Sequence, residues 1–167
     1  MKQAVLIIVK PDGIAKRLTG EVFNRFEAAN LKMLAIRLAK VTRELAESHY
    51  EHIKGESFFE GVVKHLVGKD YKVDRVLAFV LYGENAIRVC RKIAGATNPE
   101  EAELISIRGA HGRITRKRVY ENVVHVSSSV KDAKREIQMW FQPDEIQGKL
   151  YPVKTEIVDG YKVRTWK

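Results

Sequence analysis

The sequence contains a single cysteine, Cys90, and this scarcity excludes one common way of stabilising a fold. One thiol cannot form a disulfide within the chain, so we expect a core of apolar side chains and residence in the reducing cytoplasm. Long apolar runs are missing too, and none approaches the roughly 20 residues that a helix needs to cross a bilayer. Because 1–3 (Met-Lys-Gln) opens no signal-peptide pattern either, no contact with a membrane is expected.

Acidic residues are also in deficit, with 21 Asp and Glu against 30 Lys and Arg, for a formal net charge of +9. Such an excess favours partners that carry phosphate, whether nucleotides, nucleic acid or anionic surfaces. The cations concentrate between Arg88 and Arg118. From charge alone, a solvated basic loop is the simpler interpretation of that cluster.

The 167 residues, 45% of them apolar, are enough for one domain with a buried core. Apolar, β-branched runs predict strands at 3–9, 31–41 (with a bulge), 76–82 and 123–126. Amphipathic stretches predict helices at 19–30, at about 43–52 after Thr42, after Ser57, before Gly95 and after Ser129. Residues 96–121 read as a long polar connection, and Asp159-Gly160 between two alternating runs predicts a hairpin.

This order of elements suits an α+β fold, a ferredoxin-like βαββαβ sandwich with an antiparallel sheet and helices on one face. We expect a single domain over 1–167, with a C-terminal extension from about 144 to 167. Many unrelated activities use this fold, so function has to be argued from particular residues.

Two residues suggest phosphoryl transfer. His125 lies at the end of an apolar strand-like run and just before a helix-like stretch. Imidazole is well suited to accept and release a phosphoryl group near neutral pH. Lys10 ends the first predicted strand, before the turn Pro11-Asp12-Gly13, where it can hold a polyphosphate. A lone histidine on an apolar strand is more often a packed core residue, so each of the two is weak evidence alone.

Several separated motifs strengthen this interpretation. They are Lys10-Pro11-Asp12-Gly13, His49-Tyr50, Phe58-Phe59-Glu60-Gly61, the run 95–99, Ile107-Arg108-Gly109, Asn122-Val-Val-His125, and Ser129 with Glu136. In this order they resemble the nucleoside diphosphate kinase family, over nearly the whole chain to about Pro143. The resemblance implies a Mg²⁺-dependent exchange of the γ-phosphate between nucleoside triphosphates and diphosphates through a phosphohistidine. It also implies a homo-oligomer, either a hexamer or a tetramer.

The resemblance assigns roles to particular positions. His125 would be the nucleophile, Glu136 would accept a hydrogen bond from its imidazole, and Ser127 and Tyr50 would lie beside it. The residues that would bind the phosphates are Lys10, Arg91, Thr97 and Arg108. Asn122 would hold the ribose and Phe58 would stack on the base. No protein ligand is expected for Mg²⁺, which would bind through the nucleotide phosphates.

Some expectations follow from spacing. Asn122 and His125 are three residues apart, so both can face one ligand only if the backbone before His125 departs from a regular strand. His49 and His52 show a helical metal-ligand spacing, but they lack a third ligand and are expected on an exposed helix face.

The chain also departs from the family pattern. The family usually has a small residue where this chain has Val126, and an aspartate where it has Ser128 and where it has Ala110. The segments 68–74 and 108–122 are longer than is typical, and the second is unusually basic. We expect its cations at 113–118 to lie mainly outside the phosphate site. The alternative to the kinase is a non-catalytic relative that binds nucleotide or nucleic acid, with nucleic acid a secondary possibility in either case.

Overall fold

A four-stranded antiparallel sheet forms the centre of the computed structural model, which describes residues 1–116 and 118–167. The strands are β1 (Lys2–Val9), β2 (Lys32–Lys40), β3 (Arg75–Glu84), β4 (Arg113–Ile114), β5 (Tyr120–Glu121), β6 (Val124–Val126), β7 (Val153–Val158) and β8 (Tyr161–Trp166). The α-helices are α1 (Pro11–Ala15), α2 (Thr19–Glu27), α3 (Arg43–His49), α4 (Phe59–Val67), α5 (Ala86–Ala94), α6 (Ile107–His111) and α7 (Val130–Trp140). The sheet has the order β2-β3-β1-β6.

This order confirms the predicted α+β, ferredoxin-like fold. β1 pairs with both β3 and β6, and its residues 4–9 are all buried, since α5 and α7 pack against it. The predicted bulge of β2 is present as a register shift between Met33 and Ala35. The continuous apolar run 76–82 forms the interior strand β3, as its lack of polar alternation indicated.

The predicted helix ends are largely confirmed. Thr42 Oγ1 accepts a hydrogen bond from the Leu45 amide at 3.2 Å, and Ser129 Oγ accepts one from the Asp132 amide at 3.1 Å. Gly95, with φ +88°, ends α5. The helix after Thr42 is shorter than predicted because its last turn tightens into a 3-10 turn at Glu51–Ile53.

The prediction of an irregular connection over 96–121 is wrong in part. The segment contains a 3-10 turn (Pro99–Glu101), the short helix α6 and the two-stranded ribbon β4–β5. These elements are too short to show a hydrophobic period. Side-chain caps hold two of them, since Asn98 accepts from the Glu100 amide and Ser106 accepts from the Gly109 amide.

The C-terminal hairpin is confirmed. β7 pairs with β8, and Asp159 and Gly160 at the turn both have positive φ, as a two-residue type I′ turn requires. Its base is anchored because Trp166 Nε1 donates to the Phe141 carbonyl at 2.8 Å. Among the described residues, no helix combines the length and the apolar character that crossing a membrane demands.

Candidate active site

His125 and Glu136 form the centre of the site. Strand β6 carries His125 and helix α7 carries Glu136, and the His125 Nε2–Glu136 Oε2 distance is 3.0 Å. A carboxylate only accepts hydrogen bonds, so the proton of a neutral His125 resides on Nε2. The lone pair is then left on Nδ1. With its side chain 19% exposed, the ring can be reached by a ligand, while Glu136 is buried.

Ser127 supports the same carboxylate. Its Oγ donates to Glu136 Oε2 at 2.6 Å and accepts from the Leu6 amide at 3.1 Å, which ties the site to the central strand β1. Burial alone would raise the pKa of the Glu136 carboxyl, but the charge of His125 and the hydrogen bonds from His125 and Ser127 lower it to about 2. Glu136 is therefore ionised at neutral pH.

The expected exposed position of His49 is wrong. Its side chain is fully buried, and its ring lies edge-to-face against His125 with centroids 4.4 Å apart. The end of α3 packs against α7, where Trp140 Nε1 donates to His49 Nδ1 at 3.2 Å. Burial, together with the charge of His125, keeps the pKa of His49 well below its ordinary value. His49 is thus a neutral neighbour of His125, whereas His52 is exposed as predicted.

Within the described residues, His49, His125 and Glu136 are the one group whose ligand atoms could surround a metal ion, all within 4.8 Å of one another. The hydrogen bonds oppose this use. His49 Nδ1 accepts from Trp140, so its proton is on Nε2, and His125 Nε2 donates a hydrogen bond to Glu136. His49 then has no free nitrogen lone pair for a metal, which leaves only His125 Nδ1 and the Glu136 carboxylate as ligands within this group. The three side chains therefore fit a hydrogen-bonded pair with a packed neighbour better than a metal centre.

Two predicted phosphate-binding cations are buried near this pair. Arg108 donates to the carbonyls of Gly95 (2.8 Å) and Val124 (3.0 Å), and its Nε has no hydrogen-bond partner among the described residues. Lys10 Nζ lies 3.5 Å from the Tyr120 carbonyl. Burial lowers the pKa of Lys10 to about 8 and that of Arg108 to about 10. Two buried cations with incomplete partners provide a favourable place for an anion.

The expected irregularity before His125 is confirmed. Val123 has φ +68°, and the Val124 amide donates to the Asn122 carbonyl at 2.7 Å, so 122–124 form a γ-turn. A β-branched residue at positive φ is strained by about 1–3 kcal/mol. Asp12 Oδ2 accepts from the Val123 amide at 2.8 Å, and the Lys10 amide donates to the Val123 carbonyl at 2.8 Å. These contacts hold the strained turn.

The remaining predicted residues lie around this centre. Asn122 Nδ2 donates to the Thr97 carbonyl at 2.6 Å, which brings the predicted ribose-binding and phosphate-binding residues together. Arg91 is exposed on α5, yet it is close enough to Arg108 to lower the pKa of that guanidinium. Tyr50 packs edge-to-face on His49, with centroids 4.8 Å apart, and His49 in turn packs on His125.

The two adjacent phenylalanines differ in exposure. Phe59 is buried, while Phe58 is 52% exposed at the start of α4 and remains available to a ligand. In the basic segment, Arg113 pairs with Glu121, and Arg116 and Arg118 are exposed. Lys117 lies outside the described residues.

Sequence reasoning assigned no role to four buried or half-buried polar residues near the site: Asp12, His65, Tyr71 and Glu121. Asp12 belongs to the quoted Lys-Pro-Asp-Gly motif, so that motif could have drawn attention to it. Tyr71 and Glu121 lie in segments without periodicity, whereas His65 lies within the helix predicted after Ser57. Their contacts are with residues distant in sequence, which local patterns do not encode.

Comparisons with known proteins agree on one family. The family model described as nucleoside diphosphate kinase matches residues 3–146. The nucleoside diphosphate kinase of Pyrococcus furiosus is 40% identical over 144 residues, covering 86% of each chain. The one from Methanocaldococcus jannaschii is 38% identical over 146 residues, covering 87% of this chain and 98% of its own.

Solved structures agree. A transition-state mimic of the Borrelia burgdorferi nucleoside-diphosphate kinase with bound vanadate and ADP has a TM-score of 0.79 and 35% identity, covering 88% of this chain and 91% of that one. A halophilic nucleoside diphosphate kinase from Halobacterium salinarum in complex with CDP has a TM-score of 0.79 and 30% identity, covering 89% and 93%. The hairpin β7–β8 lies beyond the family match.

Proposed function

We propose residue roles for this chain, which belongs to the nucleoside diphosphate kinase family and transfers phosphate between nucleoside triphosphates and diphosphates. His125 Nδ1 attacks the γ-phosphorus of the donor, forming a P–N bond while the bond to the leaving diphosphate oxygen breaks. A terminal oxygen of the acceptor diphosphate then attacks the phosphohistidine, and the P–N bond breaks. The observation that carries this proposal is the 3.0 Å contact between His125 Nε2 and Glu136, which leaves Nδ1 as the nucleophile.

Glu136 is a positioning residue in this mechanism, and Ser127 positions Glu136. The imidazole gains positive charge as Nδ1 bonds to phosphorus. An ionised, buried carboxylate at Nε2 stabilises that charge and fixes the ring orientation. The low pKa of Glu136 supports this role, because the carboxylate keeps its charge across the neutral range.

Lys10 and Arg108 bind the phosphates that gain negative charge during transfer. The burial of both cations supports this assignment, since an anion at this place would compensate charges that lack a full set of partners. Arg91 and the Thr97 hydroxyl bind the phosphates from the exposed side. Asn122, which contacts Thr97, holds the ribose, and the exposed ring of Phe58 stacks on the base.

We propose that Mg²⁺ enters with the nucleotide and not on a protein cage. Mg²⁺ prefers oxygen ligands, and both Asp12 oxygens are already committed, one to His65 at 3.0 Å and one to the Val123 amide. Glu136 accepts from His125 and Ser127. These carboxylates fit an ion held mainly by the nucleotide phosphates, where it supplies charge neutralisation.

A homo-oligomer, hexamer or tetramer, is also proposed. Support comes from β2, an edge strand of the sheet that exposes Ile36 and Leu38. Exposed apolar residues on a strand edge favour contact with another chain.

The cytoplasm remains the proposed compartment because Cys90 is a free thiol, and burial raises its pKa to about 12, as fits an inert structural cysteine.

The intermediate provides the test. Incubation with Mg-ATP should give an acid-labile, alkali-stable phosphoprotein that loses its label when any nucleoside diphosphate is added. His125→Ala should abolish labelling, whereas the control His52→Ala, at an exposed histidine, should retain it. Persistent labelling of His125→Ala would contradict the assignment. Nucleotide binding without any labelling of the unaltered protein would instead identify the non-catalytic alternative.

A further inference from the structure

Glu121 is a buried carboxylate within the basic segment, and no step of the mechanism above uses it. Its Oε2 accepts from Arg113 Nε at 2.6 Å and lies 3.0 Å from Lys16 Nζ. Its Oε1 accepts from Arg113 Nη2 at 3.2 Å and from the Tyr71 hydroxyl at 2.8 Å. The fork of Arg113 matches the carboxylate plane, so these contacts fix the direction of the side chain as well as its charge. Glu121 is therefore held rigidly.

The Glu121 contacts join two segments that are distant in sequence. Tyr71 comes from 68–74 and Arg113 from 108–122. The Tyr71 hydroxyl also lies 3.3 Å from His65 Nδ1, and His65 Nε2 lies 3.0 Å from Asp12 Oδ1. The other Asp12 oxygen accepts from the Val123 amide, two residues after Glu121. Tyr71, His65 and Asp12 therefore pack in sequence between Glu121 and the turn at Val123, with the single Tyr71 proton donated to Glu121.

The residues on either side of Glu121 touch the nucleotide site. The Tyr120 carbonyl lies 3.5 Å from Lys10 Nζ, and the Asn122 amide group donates to the Thr97 carbonyl at 2.6 Å. Neighbouring Cα atoms are only about 3.8 Å apart. The contacts of Glu121 and the contact of Asn122 therefore act on the same short stretch of backbone.

We propose that Glu121 is a positioning residue for the nucleotide, and that its clamped carboxylate fixes Asn122 for recognition of the ribose hydroxyls. This inference rests on the proposed role of Asn122. The competing explanation is that Glu121 only neutralises Lys16 and Arg113, in which case it stabilises the fold without affecting substrate selection.

The test compares two acceptors, ADP and 2′,3′-dideoxy-ADP, with the same preparation of phosphorylated enzyme. The ratio of their kcat/KM values reports ribose recognition, and inactive protein in the sample does not change it. Glu121→Gln keeps the side-chain shape but loses its charge, and the preference for ADP should fall about tenfold, the scale of one well-placed hydrogen bond. Tyr71→Phe removes a single hydroxyl contact to Glu121 and should lower the preference by a smaller factor.

The matched control is Asp144→Asn, which removes a carboxylate that pairs with Arg164 at the C-terminal hairpin. Its ratio should equal that of the unaltered protein. An unchanged ratio in both Glu121→Gln and Tyr71→Phe, with a lower melting temperature, would overturn the inference and leave a structural role. If Glu121→Gln does not fold, Tyr71→Phe decides alone. Asn122→Ala tests the premise that Asn122 binds the ribose. If the ratio of the two kcat/KM values does not change in this variant, the proposed role of Asn122 is refuted.

Discussion

Replacing Glu136 by Gln isolates the charge of the carboxylate from its shape. In the native site, Glu136 Oε2 receives two hydrogen bonds, one from His125 Nε2 at 3.0 Å and one from Ser127 Oγ at 2.6 Å. The amide oxygen of Gln can still accept from both groups. What disappears is the negative charge beside an imidazole that becomes positive during transfer.

The expected size of the effect follows from the loss of charge assistance. A hydrogen bond to a charged group contributes about 1.5–3 kcal/mol and a neutral one about 0.5–1.5 kcal/mol. The difference of about 1–2 kcal/mol corresponds to roughly a 5- to 30-fold slower phosphorylation of His125. Glu136 is buried and contacts His125 on the Nε2 side, away from the proposed nucleophile Nδ1, so the affinity for ATP should stay nearly unchanged.

Rapid-quench measurement of phosphohistidine formation at several ATP concentrations separates the two quantities. The maximal rate should fall in Glu136→Gln, while the half-saturating ATP concentration should stay the same. Glu145→Gln is the control, since the Glu145 carboxylate also accepts a hydrogen bond from a cationic side chain, that of Arg37, but has no role in the mechanism. A large loss of ATP affinity with a normal maximal rate would refute the orienting role of Glu136.

Two further expectations concern acid stability and the basic segment. Glu136 and Glu121 both have a pKa lowered from 4.5 to about 2, so their contribution to the free energy of unfolding is complete above about pH 4.5 and is lost as the pH falls towards 2. The free energy of unfolding in urea should therefore decline less over this range in Glu121→Gln than in the unaltered protein. An identical decline in the two proteins would contradict the assignment. Replacing Arg116, Lys117 and Arg118 together by Ser should leave the rate of phosphate exchange within about a factor of ten, a loss below roughly 1.4 kcal/mol. Any binding of nucleic acid should weaken in this variant and become less dependent on salt. A thousand-fold lower rate of phosphate exchange would place the segment in the active site.

The sheet was predictable because its strands carry their own signals. The residues 3–9 and 76–82 are continuous apolar runs, and interior strands covered on both faces need such runs. The caps at Thr42 and Ser129 were predictable for a different reason, since a cap is a contact between residues three apart. Both signals are local in sequence.

The site was predictable only where local pattern and chemistry coincide. His125 lies on a strand before a capped helix, so Glu136 could be placed near it from helical geometry. His49 could not, because its burial depends on Trp140, 91 residues away. The burial and contacts of Glu121 could not be predicted for the same reason, because its partner Tyr71 lies 50 residues before it, in a segment without periodicity.

The departures from the family pattern fall outside the reacting groups. Val126 is buried and pairs with Ile7 of β1, and its side chain points away from that of His125, because neighbouring side chains on a strand alternate. Ser128 donates to the Asp132 carboxylate in the first turn of α7, and Ala110 is exposed on α6. Val126 thus contributes to packing and Ser128 to the first turn of α7. The contacts that reach the proposed nucleotide site from other parts of the chain are those of Glu121, which joins 68–74 to 108–122. We therefore expect changes at Glu121, more than at these three positions, to alter substrate selection.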